Sequence, residues 1–350
     1  MKRKGEDTKV DGLVEQGILQ EPGMQRTGVR KGIGLVLVGG GGRGAYHIGV
    51  WKALRDTGLE NYITAVSGSS VGGLNAALFV QKDLDKAQDI WKSISMETIL
   101  TPRFKSEHSR PALFERDGLG RIIDEGLDMR CFDNGEYNCW IACVRVDGGD
   151  NKEEEIQYIN FEGRKVVRKY VCGRTEYFNL KHVQGDDTRK KILLATSAMP
   201  LVFPKEEIDG HHYEDGGIKD NIPLRPLYEI DKCDVIFAVH LANTDNPINR
   251  KRYPNATIFE IFPKGNLGGL IDADGVFDFT AEGAAKRIEQ GYADCHDLFR
   301  RMTEIIRSGH EERNVLADAY MKELQYDWCK KKMQEANLDL MMKLNEDTGR

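Results

Sequence analysis

IGLVLVGGGGRGAYHIGVWKAL (residues 33–54) and ITAVSGSSVGGLNAALFV (residues 63–80) together decide the fold. Ile33–Val38 is a nearly unbroken apolar run, the pattern of a parallel strand buried on both faces. The glycine run Gly39–Gly44 follows. A helical pattern then extends from Ala45 to Thr57 with Ile48, Val50, Trp51 and Leu54 as apolar positions, and Gly58 is a natural stop. A second short strand, Ile63–Val66, enters Gly68-Ser69-Ser70-Val71-Gly72, and the next helix runs from Val71 to about Lys82. Strand-helix-strand-helix in this order implies a parallel sheet with right-handed crossovers.

The flanking sequence divides the chain into three expected parts. Residues 1–30 have no periodic apolar pattern and are expected to form a flexible tail. Residues 31–262 are expected to form the α/β domain, a parallel-rich central sheet flanked by helices. Residues 263–350 are expected to form a mainly helical extension, with apolar spacing of three and four over 280–308 and 312–345. Inside the domain, residues 83–135 read as helical and irregular, and Arg110–Asp128 as a loop plus a short helix. Cys139–Val146 and Glu155–Phe161 read as strands, joined by turn chemistry at Gly148-Gly149-Asp150-Asn151. Asp186 or Asp187 can cap a helix from Thr188 to Ser197, and Asp234–His240 is a further sheet strand.

A net charge of −6 over 350 residues argues against a nucleic-acid partner. The seven scattered cysteines form no C-x-x-C pair, so reduced thiols in a cytoplasmic protein are the simplest expectation. The charged N-terminus lacks the apolar core of a signal peptide, and no apolar run approaches the ~18 residues of a membrane span.

Gly68, Ser70 and Gly72 fit G-x-S-x-G, a strand-to-helix elbow that exposes a nucleophilic serine. Ser67, Ser69 and Ser70 compete for that role. The residues two before and two after the nucleophile must be small for strand and helix to approach. Only Ser70 has glycine at both places, and it sits where the helix dipole favours an alkoxide. A plain glycine-serine turn would fit the same five residues. Gly39, Gly41 and Gly44 also match G-x-G-x-x-G, but the second strand ends in Ala65-Val66-Ser67 where a dinucleotide site needs a ribose-binding acid. No Walker lysine follows. An oxyanion hole accounts for the run better, with Gly40 and Gly41 as amide donors and Arg43 bracing the loop or adding positive potential.

The base has several candidates. A triad would draw on His211, His212 or His240. Asp215, ahead of Gly216 and Gly217 in an expected turn, is another, although a turn aspartate can simply bond its own backbone. With these residues in view, the chain resembles the patatin-like phospholipase family over about residues 33–300. Gly39–Gly44, including Gly42, is similar to that family's oxyanion loop, and Gly68–Gly72 to its nucleophile elbow. Thr196–Pro204 is similar to the segment before the base, Asp215-Gly216-Gly217 to the D-G-G/A box, and Lys219–Pro223 to its continuation. Ile261–Tyr292 matches loosely. The resemblance implies a Ser70–Asp215 dyad with no histidine, metal or cofactor, hydrolysing fatty-acyl esters, most often in phospholipids.

Two other functions stay open: a Ser-His-Asp α/β-hydrolase, and a non-catalytic lipid- or partner-binding module on the same fold. Residues 95–130 are expected to form a lid or acyl-groove wall, or else a surface insertion. The stripe Leu316, Tyr320, Leu324 and Trp328 reads as helix packing, while Lys330-Lys331-Lys332 beside Trp328 raises a peripheral membrane contact.

Overall fold

The computed structural model describes residues 32–347 except 100, 103–113, 134, 148–152, 160–164, 172, 201, 244, 246 and 269–274. The expected tail and the 148–151 turn therefore lie outside the described residues. In chain order the elements are β1 (Ile33–Leu37), α1 (Ala45–Asp56), β2 (Ile63–Ser69), α2 (Val71–Gln81), α3 (Leu84–Ser93), α4 (Met96–Ile99), β3 (Thr101–Pro102), β4 (Phe114–Glu115), α5 (Asp117–Gly126) and β5 (Asn138–Arg145). They continue with β6 (Glu153–Ile159), β7 (Lys165–Val171), β8 (Arg174–Asn179), α6 (Asp186–Thr196), β9 (Glu206–Ile208), β10 (His211–Asp215), β11 (Val235–Val239), β12 (Thr257–Ile261) and α7 (Ala281–Asp347).

The fold is α/β, with a central sheet flanked by helices. The strand order is β12-β11-β1-β2-β5-β10-β9, with β8 also paired to β5. The pairs β12–β11, β11–β1, β1–β2 and β2–β5 are parallel. β5–β10, β10–β9 and β5–β8 are antiparallel. The apolar run in β1 is explained by burial on both faces: Leu35 and Leu37 lie with Ile48, Trp51 and Phe79 of α1 and α2. Val36 packs with Leu224, Leu227 and Ile236.

β5 is the ruler that positions the site. β8 occupies one edge along Trp140–Arg145. On the other edge β2 pairs with Asn138–Ala142 and β10 with Cys143–Arg145. β2 and β10 thus meet end to end, with Ser69 opposite Ala142 and Asp215 opposite Cys143.

Three local expectations are corrected. Asp215 ends a strand rather than sitting within a turn, and the 3-10 turn begins at Gly216. Gly185, not Asp186 or Asp187, is the N-cap of α6, at φ 84°. Both aspartates instead lie in the first turn of α6, where they complement its dipole. The two C-terminal helical stretches form one helix, because a lone Gly309 without proline weakens a helix but does not break it.

The chain divides into one unit ending at His296 and a second beginning at Asp297. Through Asp347 the second unit is a single helix, which has nothing of its own to receive an apolar stripe. Leu316, Tyr320 and Trp328 are accordingly 68%, 61% and 63% exposed, against the packing expected of them. The side chain of Leu324 lies outside the description. Among the described residues no helix is long and apolar enough to cross a membrane.

Candidate active site

The three serines at the end of β2 have different surroundings. Ser67 Oγ donates to the Pro223 carbonyl at 2.7 Å. Ser69 is fully buried, and its Oγ lies 2.7 Å from where a Cβ on Gly216 would stand. Ser70 adopts φ 55°, ψ −132°, a strained conformation for a residue with a side chain. The surroundings hold it there: its amide donates to Thr196 Oγ1 at 2.9 Å, and that hydroxyl donates to the Ala142 carbonyl at 2.6 Å.

The elbow glycines answer to close backbone approach. A Cβ on Gly68 would lie 2.2 Å from the Gly72 carbonyl oxygen, and one on Gly72 would lie 2.0 Å from the Leu37 oxygen. A Cβ on Gly216 would meet the Ala142 oxygen at 2.1 Å. Only glycine lets the elbow seat against β1 and the D-G-G turn seat against β5.

Ser70 Oγ donates to Asp215 Oδ2 at 2.6 Å. Asp215 is 5% exposed, and its Oδ1 accepts the Gly217 amide at 2.7 Å. Burial pushes the carboxyl up to about 6, against the opposing pull of the Ser70 and Gly217 hydrogen bonds and the Arg116 charge. Its affinity for a proton therefore lies nearer neutral pH than that of an ordinary aspartate, which suits a general base. Arg116 is itself buried and ion-paired to Glu206 at 2.9 Å, and it donates to the Pro204 carbonyl. Burial lowers its pKa to about 10, with Glu206 and then Asp215 opposing.

The glycine run forms a 3-10 turn over Gly41–Gly44. Gly39 exchanges hydrogen bonds with the Asn221 amide group, 3.0 Å from its N–H and 3.3 Å to its carbonyl. The Gly42 amide donates to Val276 at 2.7 Å. Among the described residues, the Gly40 and Gly41 amides donate to no protein acceptor, and Gly41 borders the same cavity as Ser70. Arg43 Nε donates to the Gly40 carbonyl at 3.2 Å, a brace on the turn, and burial lowers its pKa. Gly44 approaches Val71, 2.6 Å from where its Cβ would be.

Ser70 opens into an apolar cavity of about 120 Å³. Val71, Leu74 and Leu78 mark one wall, so the cavity follows α2 away from Ser70 for about 12 Å at 1.5 Å per residue. Trp91 and Ile94 of the α3 region, and Leu119, Ile123 and Leu127 of the α5 region, form another wall. Ile99, Leu119, Ile122, Ile123 and Leu127 of the 95–130 stretch thus line the cavity.

The histidines engage other groups. His211 Nδ1 lies 2.7 Å from Arg145 Nη2, and His212 Nδ1 lies 3.2 Å from Asp147 Oδ2. His240 is fully buried, 3.4 Å from Asp245 and 3.2 Å from Glu260, and stacks on Phe262. Asp220 accepts from Tyr177 and Ile222. Among the described residues no cluster of His, Cys, Asp or Glu could hold a metal. Sequence reasoning passed over Arg116 and the individual roles of Thr196 and Asn221. The last two stood inside quoted segments, whereas nothing local to Arg116 tied it to Asp215.

The family described as patatin-like phospholipase matches the chain over residues 35–228. An uncharacterized NTE family protein of Mycobacterium tuberculosis is 26% identical over 225 residues, 64% of this chain and 53% of that protein. Neuropathy target esterase sws of Drosophila melanogaster is 38% identical over 249 residues, covering 68% of this chain and 15% of the fly protein. A patatin-like phospholipase domain-containing protein of Caenorhabditis elegans is 49% identical over 214 residues, 58% and 13% of the two chains. The chain thus spans about half the length of the mycobacterial relative and less of the animal ones. Among solved structures, human GIVD cytosolic phospholipase A2 is similar at 10% identity and TM-score 0.40, covering 79% of this chain and 60% of that one.

Proposed function

The chain belongs to the patatin-like phospholipase family, and from that premise we propose that it is a serine hydrolase of fatty-acyl esters, acting through a Ser70–Asp215 dyad. The observation that carries the proposal is Ser70, strained at its elbow, hydrogen-bonded at 2.6 Å to a buried carboxylate at the mouth of an apolar cavity. The cavity takes the acyl chain and sets the ester carbonyl over Ser70. Asp215 accepts the Ser70 proton as Oγ attacks the carbonyl carbon. The carbonyl oxygen becomes an oxyanion held by the Gly40 and Gly41 amides. Asp215 returns the proton to the departing alcohol, and a water then repeats the sequence in reverse to free the fatty acid. Arg43 and Asn221 hold the oxyanion turn, and Gly39, Gly42 and Gly44 let it lie close to its neighbours. Peripheral contact with a lipid surface through Trp328 and Lys330–Lys332 belongs to the same reading.

The test is hydrolysis of lysophosphatidylcholine and phosphatidylcholine, together with labelling by an alkyl fluorophosphonate. Wild type is expected to release fatty acid and to be labelled at Ser70; Ser70→Ala should do neither. A folded wild type that binds palmitate but shows no hydrolysis and no labelling would favour the non-catalytic lipid-binding module instead.

Leu78 lies two turns along α2 from the elbow. Leu78→Trp should fill the far end of the cavity and cost at least tenfold in kcat/KM on palmitoyl esters while leaving butyryl esters within threefold. Equal losses on both chain lengths would reject the cavity as the acyl site.

A further inference from the structure

The oxyanion turn is held from one side by residues beyond the family match. The Gly42 amide donates to the Val276 carbonyl at 2.7 Å. A Cβ on Gly41, at φ 59°, would stand 2.3 Å from that same oxygen, and a Cβ on Gly42 would stand 2.1 Å from the Asp278 oxygen. Two glycines of the run thus answer to this strap rather than to the nucleophile. Arg287, in the first turns of α7 and 4% exposed, locks the strap down. Its Nη2 donates to Asp278 Oδ2 at 2.7 Å, while Nη1 reaches the Asp278 carbonyl at 3.1 Å and the Gly42 carbonyl at 3.5 Å.

The same stretch of α7 is seated on α1, the helix that begins where the turn ends. A Cβ on Gly49 would lie 1.9 Å from the Ile288 oxygen, and one on Gly291 2.2 Å from the Tyr46 oxygen. Tyr46 Oη donates to Asp294 at 3.2 Å. α7 therefore grips both the turn and the element after it.

A four-glycine turn has no intrinsic preference for one set of peptide planes. Here three successive planes are each held at one atom. Arg43 holds the Gly40–Gly41 plane at its carbonyl, Val276 holds the Gly41–Gly42 plane at its N–H, and Arg287 holds the Gly42–Arg43 plane at its carbonyl. The Gly41 amide belongs to the first of these and inherits its direction from the set.

We propose that Arg287, bound to Asp278, is a positioning residue for the oxyanion hole, fixing the amide of Gly41 through the planes that follow it without touching the substrate. This rests on the hydrolase reading above. Arg287 is buried and does not itself line the cavity, although the strap it holds lends Val276, Phe277 and Phe279 to the cavity wall, so its loss should act mainly on the chemical step and much less on binding. A misplacement of about 1 Å at a catalytic donor can cost roughly a hundredfold.

The experiment compares full-length wild type, Arg287→Met and Arg287→Lys for kcat and KM on p-nitrophenyl butyrate, palmitate binding by calorimetry, and thermal midpoint. Arg287→Met is expected to lower kcat at least tenfold, with KM and palmitate Kd within threefold of wild type. Arg287→Lys keeps the charge opposite Asp278 but offers one nitrogen where Arg offers two, and should recover only part of kcat. A folded Arg287→Met with kcat within threefold of wild type overturns the positioning role. So does a palmitate Kd that weakens in proportion to kcat. If Arg287→Met does not fold, Arg287→Lys decides alone: at least a threefold fall in kcat supports the proposal and a smaller one overturns it. A wild type with no hydrolysis and no fluorophosphonate labelling would instead overturn the hydrolase reading beneath it.

Discussion

Asp215→Asn is expected to lose at least about a thousandfold in kcat, the scale of removing a positioned general base, and to become more stable at pH 8. The two effects share one cause. Burial raises the carboxyl to about 6 in the folded protein, against about 3.9 in an unfolded chain. The folded state therefore binds the proton more tightly than the unfolded state does. Below pH ~4 both states are protonated and the group costs nothing. As pH rises from about 4 to about 6, the unfolded chain ionises first and stability falls. Above pH ~6 the penalty is constant, at most about 3 kcal/mol by linkage. Asparagine keeps the shape and the acceptor for the Gly217 amide while removing the buried charge. Its stability relative to wild type should thus be near zero at pH 4 and positive at pH 8, as read from urea unfolding at both pH values. Wild-type kcat/KM should fall tenfold per unit below pH ~6, because the base must be deprotonated to act. Residual activity within tenfold of wild type would reject Asp215 as the base, and equal stability differences at the two pH values would reject burial as the origin of its raised affinity.

Gly72→Ala is expected to be severely damaging for a single added methyl, costing more than about 3 kcal/mol or preventing folding. The added carbon would lie 2.0 Å from the Leu37 oxygen and 2.6 Å from its carbon, so two backbones must part. Parting them moves α2 from β1 and relaxes the strained Ser70, so any folded fraction should also be inactive. Gly58→Ala is the control. Gly58 has φ 76° but nothing within 4 Å of an added Cβ, so only backbone strain of about 1 kcal/mol is expected. Similar losses for the two variants in chemical denaturation would show that close approach at the elbow is not what requires glycine.

The β1-α1-β2-α2 core was legible because each signal in it is local. An apolar run, a glycine stop and a serine between two glycines all report steric demands met within a few residues of chain. The antiparallel side of the sheet was less legible. Glu206–Ile208 and His211–Asp215 are three and five residues long and largely polar, and they become strands only by pairing with each other and with β5. Asp215 stood out by the two glycines that follow it, and those same glycines made it read as a turn. The unbroken course of α7 and the exposure of Tyr320 and Trp328 were misread because periodicity reports a face, not what covers it.

What the sequence determined by itself was the order β1-α1-β2-α2 and the need for glycine at the elbow, where Ser70 alone of three serines has glycine two before and two after it. These follow from backbone sterics over short spans. What only the tertiary structure decided was the meeting of the parts. β5 aligns the ends of β2 and β10 so that a hydroxyl and a carboxyl 145 residues apart close to 2.6 Å. Burial then raises the carboxyl's proton affinity, and Arg116, Asn221 and Arg287 arrive from distant segments to hold the surroundings. Strand register, dielectric environment and long-range hydrogen bonds are properties of the assembled chain, and no local pattern of residues encodes them.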